Sequence, residues 1–225
     1  MLKYLMRLIW PLNCAGCGEC DVHLCKKCEE VIKTPTLRLV VDKDCNYPIY
    51  AAFSYTAAIR RIMLAFKDGG RFDMLAYIRY AVRKMTSNLL TLNELKFENI
   101  GCVPAPSSFS SLKRRQMLQT GHLASAIVSQ LRAEHVDAIE LDILKQHTKK
   151  KQVNYSGEQR SKNKSGSVQL KISKAMTLSS QQRTRNIILV DDIITTGSTT
   201  RECIRVLENA GFRVLCVIVL CTTGS

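Results

Sequence analysis

Ile187-Ile188-Leu189-Val190-Asp191-Asp192-Ile193-Ile194-Thr195-Thr196-Gly197-Ser198-Thr199-Thr200 joins an apolar run to two acids and a hydroxyl-rich turn. Asn186 to Val190 is short, apolar and bounded by charge, the pattern of a strand buried on both faces of a parallel sheet. It delivers Asp191 and Asp192 to its C-terminal edge, where open α/β sheets bind ligands. Ser198 to Ala210 has helical spacing, with Ile204 and Leu207 inward and Gly211 as its stop. Phe212 to Leu220 is again strand-like. Strand, turn, helix and strand in this order predict a right-handed βαβ unit.

The turn between strand and helix carries the chemistry. Amides that open a helix point outward at the positive end of the dipole, a ready site for a phosphate monoester. Gly197 lets the backbone come close, and Thr195, Thr196, Ser198 and Thr199 add hydroxyl donors. Asp191 and Asp192 would repel that phosphate and instead suit neighbouring sugar hydroxyls or a magnesium ion. A capped helix start needs one Asp, Ser or Thr, whereas Asp191 to Arg201 holds seven in eleven positions. No Gly-Lys pair precedes the hydroxyl residues, which excludes a nucleoside-triphosphate P-loop.

Upstream, Tyr50 to Tyr55 reads as a strand, Ala57 to Phe66 as a helix and Phe72 to Leu92 as another. Ile100 to Val103 is a short strand ending in Pro104-Ala105-Pro106. Leu112 to Leu131 is mainly helical, and Ile139 to Leu144 reads as one strand. Residues 29–48 read as a linker and small extension. The opening Leu2 to Leu12 has no small-residue cleavage site and reads as a short helix of a cytoplasmic protein. No apolar run reaches the ~18 residues of a membrane span.

Five of the ten cysteines lie between Cys14 and Cys28. Cys14-x2-Cys17 and Cys25-x2-Cys28 form two paired hooks seven residues apart, a spacing that suits a closed, structural tetrahedral zinc site. Cys20 offers an alternative hook with Cys17, and Cys45 stays open as a ligand. Cys102, Cys203, Cys216 and Cys221 sit in apolar contexts and read as buried small hydrophobes. The chain therefore divides into a zinc-ribbon-like module with linker, 1–48, and an α/β domain, 49–225.

The net charge of +14 favours polyanionic partners. It is unevenly placed: residues 1–48 hold seven Lys and Arg against six acids, and the remainder 26 against 13. Between Lys145 and Lys174 nine bases face only Glu158, so residues 145–167 read as a long basic loop or hairpin. Aromatic residues make up only 6%, thin for stacking single strands.

Val190 to Thr199 closely resembles the phosphoribosyl pyrophosphate signature of type I phosphoribosyltransferases. With the cysteine hooks, the whole chain resembles the ComF family of competence proteins. Tyr55, Phe66-Lys67, Arg71, Val103 to Pro106, Lys113-Arg114-Arg115, Gln119, Gln152, Glu158, Arg160 and Asn163 extend the likeness over nearly the full length. Two features depart from the pattern: a second cysteine cluster is reduced to Cys45, and Met117-Leu118 stands where glycine and asparagine are usual. The resemblance implies a type I phosphoribosyltransferase-like parallel sheet flanked by helices. It implies a site in which Thr195 to Thr199 hold a 5-phosphate and Asp191 and Asp192 bind ribose hydroxyls, directly or through magnesium. Ala105 and its loop would meet the pyrophosphate. Lys149 to Lys151 and Arg160, on the basic loop, would close over it, with Lys151 and Arg160 the candidate catalytic cations. The implied setting is DNA uptake during natural transformation, with single-stranded DNA and other competence proteins as partners. The alternatives are a non-catalytic single-stranded-DNA-binding factor with a metabolite-sensing pocket, and a nucleobase salvage phosphoribosyltransferase.

Overall fold

The structure is a computed structural model that describes residues 13–40, 42–67, 70–92, 97–106, 113–146, 166–171 and 186–223. The helix expected at 2–12 and most of the basic loop lie outside the described residues.

The chain runs α1 (Lys26–Lys33), β1 (Arg38–Val40), β2 (Ile49–Ser54), α2 (Ala57–Lys67), α3 (Met74–Thr91), β3 (Ile100–Pro104), α4 (Lys113–Ala133), β4 (Ala138–Glu140), β5 (Leu144–Gln146), β6 (Val168–Leu170), β7 (Asn186–Ile194), α5 (Ser198–Asn209) and β8 (Arg213–Thr222). Six strands form one sheet in the order β1-β2-β8-β7-β3-β4. All its pairings are parallel except that of β1 with β2. This is the parallel sheet flanked by helices that the sequence implied.

Burial on both faces follows from the period of two along each strand. Tyr50, Ala52, Ile188, Val190, Cys216 and Ile218 pack with α2, α3 and α4. Ile49, Ala51, Ile187, Leu189, Val217 and Val219 pack on the other face with Cys203, Ile204 and Leu207 of α5. The helix after β3 and the helix after β7 therefore cover opposite faces. Because β3 and β7 are neighbours, their C-terminal ends flank a switch point of the sheet, where a crevice opens.

Three sequence expectations change. Residues 29–48 are not only linker: part of α1 and all of β1 lie there, and β1 extends the sheet as an antiparallel edge. The strand expected over Ile139 to Leu144 is two strands. β4 pairs with β3, whereas β5 leaves the sheet to pair with β6. That antiparallel pair forms the two arms from which the basic segment departs. The strand expected over Asn186 to Val190 runs on to Ile194, because β8 keeps pairing with it through Ile194↔Thr222. β3 stops pairing at Pro104↔Val190. Asp191 to Ile194 thus have a partner strand on one side and the crevice on the other.

Candidate functional site

Asp191 lines a small depression of about 40 Å³ together with Ile193, Ile194 and residues Thr195 to Thr200. Thr195 and Thr196 are exposed, and Ser198 and Thr199 are partly so. Gly197 is the N-cap of α5, with φ 66° and ψ −4°, and offers no side chain to cap it. The first-turn amides therefore face the depression without a capping side chain, as an anion site requires.

The same glycine is fixed by its surroundings. A Cβ at Gly197 would run into the carboxylate of Asp42 and come 2.8 Å from Nη1 of Arg201. Arg201 donates from Nη1 to Asp42 Oδ2 at 2.7 Å and from Nη2 to the carbonyl of Thr196 at 2.9 Å. The close backbone approach expected at Gly197 is thus joined by a second reason for glycine. Its missing side chain makes room for the Asp42–Arg201 clamp, which fixes the turn from behind.

The two acids have different neighbours. Asp192 forms an ion pair with Lys67 at the end of α2, and both side chains are largely buried, at 17% and 16% exposure. Asp191 keeps partial exposure, but burial of its carboxyl pushes its pKa up, to about 8. The adjacent Asp192 carboxylate adds to that rise, and Lys67 works against it. Each carboxylate also accepts the next amide along: Asp192 N–H donates to Asp191 at 2.8 Å and Ile193 N–H to Asp192 at 2.7 Å. Two adjacent carboxylates are hard oxygen donors of the kind magnesium takes, with water and substrate phosphate completing its shell.

Ala105 follows β3 and is buried. Its N–H donates to the carbonyl of Val190 at 2.7 Å, one residue before Asp191. Its own carbonyl accepts the hydroxyl of Thr120 at 3.2 Å. Ala105 is thus held next to the residue that precedes the acid pair. Lys151 and Arg160 lie outside the described residues. The arm that leads back from them is tied down: Gly166 N–H donates at 2.5 Å to Glu202 of α5, a buried acid also held by Arg205 at 2.8 Å.

A second cluster lies on the α2–α3 face. Cys14, Cys17, Cys25 and Cys28 bring their sulfurs within 4.8 Å of one another, and Cys17 and Cys25 stand 3.6 Å apart. Four thiolates around one zinc at ~2.3 Å need spacings of about 3.8 Å. Burial raises the Cys14 thiol, but amides of Cys25, Cys17 and Gly16 outweigh it and bring its pKa down to about 6. Burial pushes Cys28 upward, helped by the neighbouring thiols. Such a set is poised for a cation. Cys20 is exposed and outside the cluster, and Cys45 packs elsewhere, beside Tyr47 and the α5 side of the sheet. Gly16 was missed in the sequence: a Cβ there would meet Cys28 Sγ at 2.5 Å. Arg71 ties the cluster to the body, donating to the carbonyls of Asn13 at 2.8 Å and His23 at 3.0 Å while paired with Asp73.

Residues 122–225 match the family model of the phosphoribosyl transferase domain. The matched stretch contains the β7 acids, the hydroxyl turn and α5; the cysteine cluster lies outside it. Among solved structures, the allosteric regulatory enzyme of purine biosynthesis aligns at 16% identity and a TM-score of 0.30. The alignment covers 62% of this chain and 25% of that one, so the chain spans about a quarter of that enzyme's length. No curated protein matches the chain.

Proposed function

We propose that the chain binds phosphoribosyl pyrophosphate together with magnesium at the C-terminal ends of β3 and β7, and acts as a phosphoribosyltransferase-like protein. The observation that carries this reading is the juxtaposition in one depression of a helix start without a capping side chain, a turn of four hydroxyl residues and Asp191, with Asp192 beside it on β7 paired to Lys67. Thr195, Thr196, Ser198, Thr199 and the first amides of α5 would hold the 5-phosphate. Asp191 and Asp192 would receive the ribose hydroxyls or the metal, and the backbone after Ala105 would face the pyrophosphate. Bound magnesium would supply charge neutralisation on the leaving pyrophosphate. In a transfer reaction the C1–O bond to pyrophosphate breaks and a bond from C1 to a nitrogen nucleophile forms. The protein's share is then orientation, exclusion of water and electrostatic stabilisation. Calorimetric titration with phosphoribosyl pyrophosphate and magnesium tests binding, and pyrophosphate release with a nucleobase tests turnover.

The basic loop is proposed as a cationic lid. Neutralising Lys149, Lys150, Lys151 and Arg160 together should leave the melting temperature nearly unchanged. Affinity for the ligand should fall, more at low salt than at high. An equal affinity at every ionic strength would show that these charges only meet solvent.

For the cysteine cluster we propose one structural zinc, with residues 1–48 as the module that holds it and 49–225 as the domain that carries the ligand site. The module shares its hydrophobic core with α2 and α3, so losing the metal should also loosen that face. Metal analysis of protein purified without added zinc should give about one zinc per chain. Cys14→Ser, Cys25→Ser and Gly16→Ala should each lower zinc content and melting temperature together. Full stability without metal in these variants would contradict the assignment.

The resemblance to the ComF family supports DNA uptake in the cytoplasm as the setting, with other competence proteins as partners. A second reading, a factor that binds single-stranded DNA and senses the metabolite, has one observation in its favour. Phe72 and Tyr80, both well exposed, line a groove of about 960 Å³ with Arg79, Arg83 and Lys84. Aromatic faces among cations suit a single strand. Salt-sensitive binding of single-stranded DNA without pyrophosphate release would favour this reading. A nucleobase salvage enzyme remains the third, read out by pyrophosphate release with free base.

A further inference from the structure

Lys67 stands out because its charge is spent inside the site. It is the last residue of α2, whose Ile59, Ile62, Met63 and Phe66 are buried in the core. Beyond it the chain is fixed again, by Arg71 N–H on the carbonyl of Ala65 at 3.1 Å and by the Arg71 guanidinium on Asp73, Asn13 and His23. The backbone carrying Lys67 is thus held on both sides, and only its long side chain is free to change partner. Its side chain is 16% exposed, and its ammonium is paired with Asp192. A buried ammonium needs an anion, and leaving it without one is costly. A divalent cation at the acid pair would compete for the same carboxylate. Lys67 would then need another anion, and the phosphates of an incoming ligand are anions that arrive with such a cation.

Resting on the function proposed above, we propose that Lys67 is a further ligand-contacting residue. It holds the cation position beside Asp192 in the empty site, competes there with a divalent metal, and turns to the ligand's diphosphate when metal and ligand enter together. Two consequences have opposite signs. Without Lys67, metal alone meets an acid pair with no competitor. With metal and ligand together, one cation on the diphosphate is missing.

The test compares Lys67→Met with the parent, using manganese alone, read by electron paramagnetic resonance, and phosphoribosyl pyrophosphate with magnesium, read by calorimetry. Lys67→Met should bind manganese about five- to tenfold more tightly and the phosphoribosyl ligand at least tenfold more weakly. Lys67→Arg, which keeps the charge, should stay close to the parent in both arms and covers the case of a misfolded methionine variant. Unchanged values in both arms, or equal weakening in both with the fold intact, would overturn the proposal. Departure of Lys67→Arg from the parent in the direction opposite to that of Lys67→Met would also overturn it. A parent that takes manganese but not the phosphoribosyl ligand would sink the underlying functional reading instead, while the manganese arm still decides whether Lys67 guards Asp192.

Discussion

Asp191→Asn stabilises the metal-free chain, and the gain grows as pH rises from about 4 to about 8. The native carboxyl is raised to about 8, with burial as the main cause and Asp192 adding to it. In the unfolded chain the same group ionises near pH 3.9. Between those values the native state keeps a proton that the unfolded state has lost, so stability falls with rising pH across the window. Asparagine has no proton to lose, and the decline disappears. Lys67 opposes the rise, and the neighbouring Cys203 thiol is itself pushed up by burial first and then by Asp191. At about 1.4 kcal/mol per pKa unit, discounted for partial exposure, the gain at pH 8 is on the order of 2–4 kcal/mol. Melting curves of parent and variant from pH 4 to pH 9, without added divalent metal, check this. They should coincide near pH 4 and separate steadily above it. Parallel curves across the range would mean that Asp191 ionises as a free carboxyl.

Gly197→Val abolishes ligand binding while leaving the sheet intact. The backbone at 197 has φ 66°, a region that costs an L-residue roughly 1–2 kcal/mol and a β-branched one more. The new side chain also strikes Asp42 and crowds Arg201. Displacing Arg201 releases the Thr196 carbonyl, and with it the shape of the turn. β7 and β8 are held by their own ladder and by the core on both faces, so far-ultraviolet circular dichroism should change little. Affinity for phosphoribosyl pyrophosphate should fall at least about a hundredfold, or roughly 2.7 kcal/mol. Arg201→Ala isolates the clamp: it should weaken binding in the same direction with no backbone strain. Parent-like affinity in Gly197→Val would show that the turn is not a binding element.

The sheet was legible because its strands are short apolar runs separated by turn residues, and because β7, α5 and β8 follow one another without insertion. Their core residues alternate between two covered faces, which periodicity alone conveys. What stayed hidden came from contacts between distant parts of the chain. Asp42 reaches Arg201 across 159 positions, and nothing in its polar segment marks it as the back wall of the turn. Lys67 ends an apolar helix and belongs to the Phe66-Lys67 likeness, but its place beside Asp192 arises only when α2 and β7 meet. The split of Ile139 to Leu144 was hidden because both halves are apolar, and only the partner strand, β3 or β6, tells them apart. The cysteine hooks were the opposite case. Their spacing is local, so the choice of Cys14 over Cys20 agreed with the geometry, whereas the need for glycine at 16 depends on how closely Cys28 approaches it.

The acid pair and the hydroxyl turn hold the central claim, and Asp191→Asn/Asp192→Asn tests it with little change of shape. Calorimetric titration of parent and double variant with phosphoribosyl pyrophosphate in magnesium is the direct measurement, with melting temperature recorded beside it. The variant should remain folded, the relief at Asp191 offsetting the loss of the Lys67 partner, and lose about 1–3 kcal/mol of binding per charge-assisted contact removed. A double variant that binds phosphoribosyl pyrophosphate as tightly as the parent would place the ligand elsewhere and contradict the account.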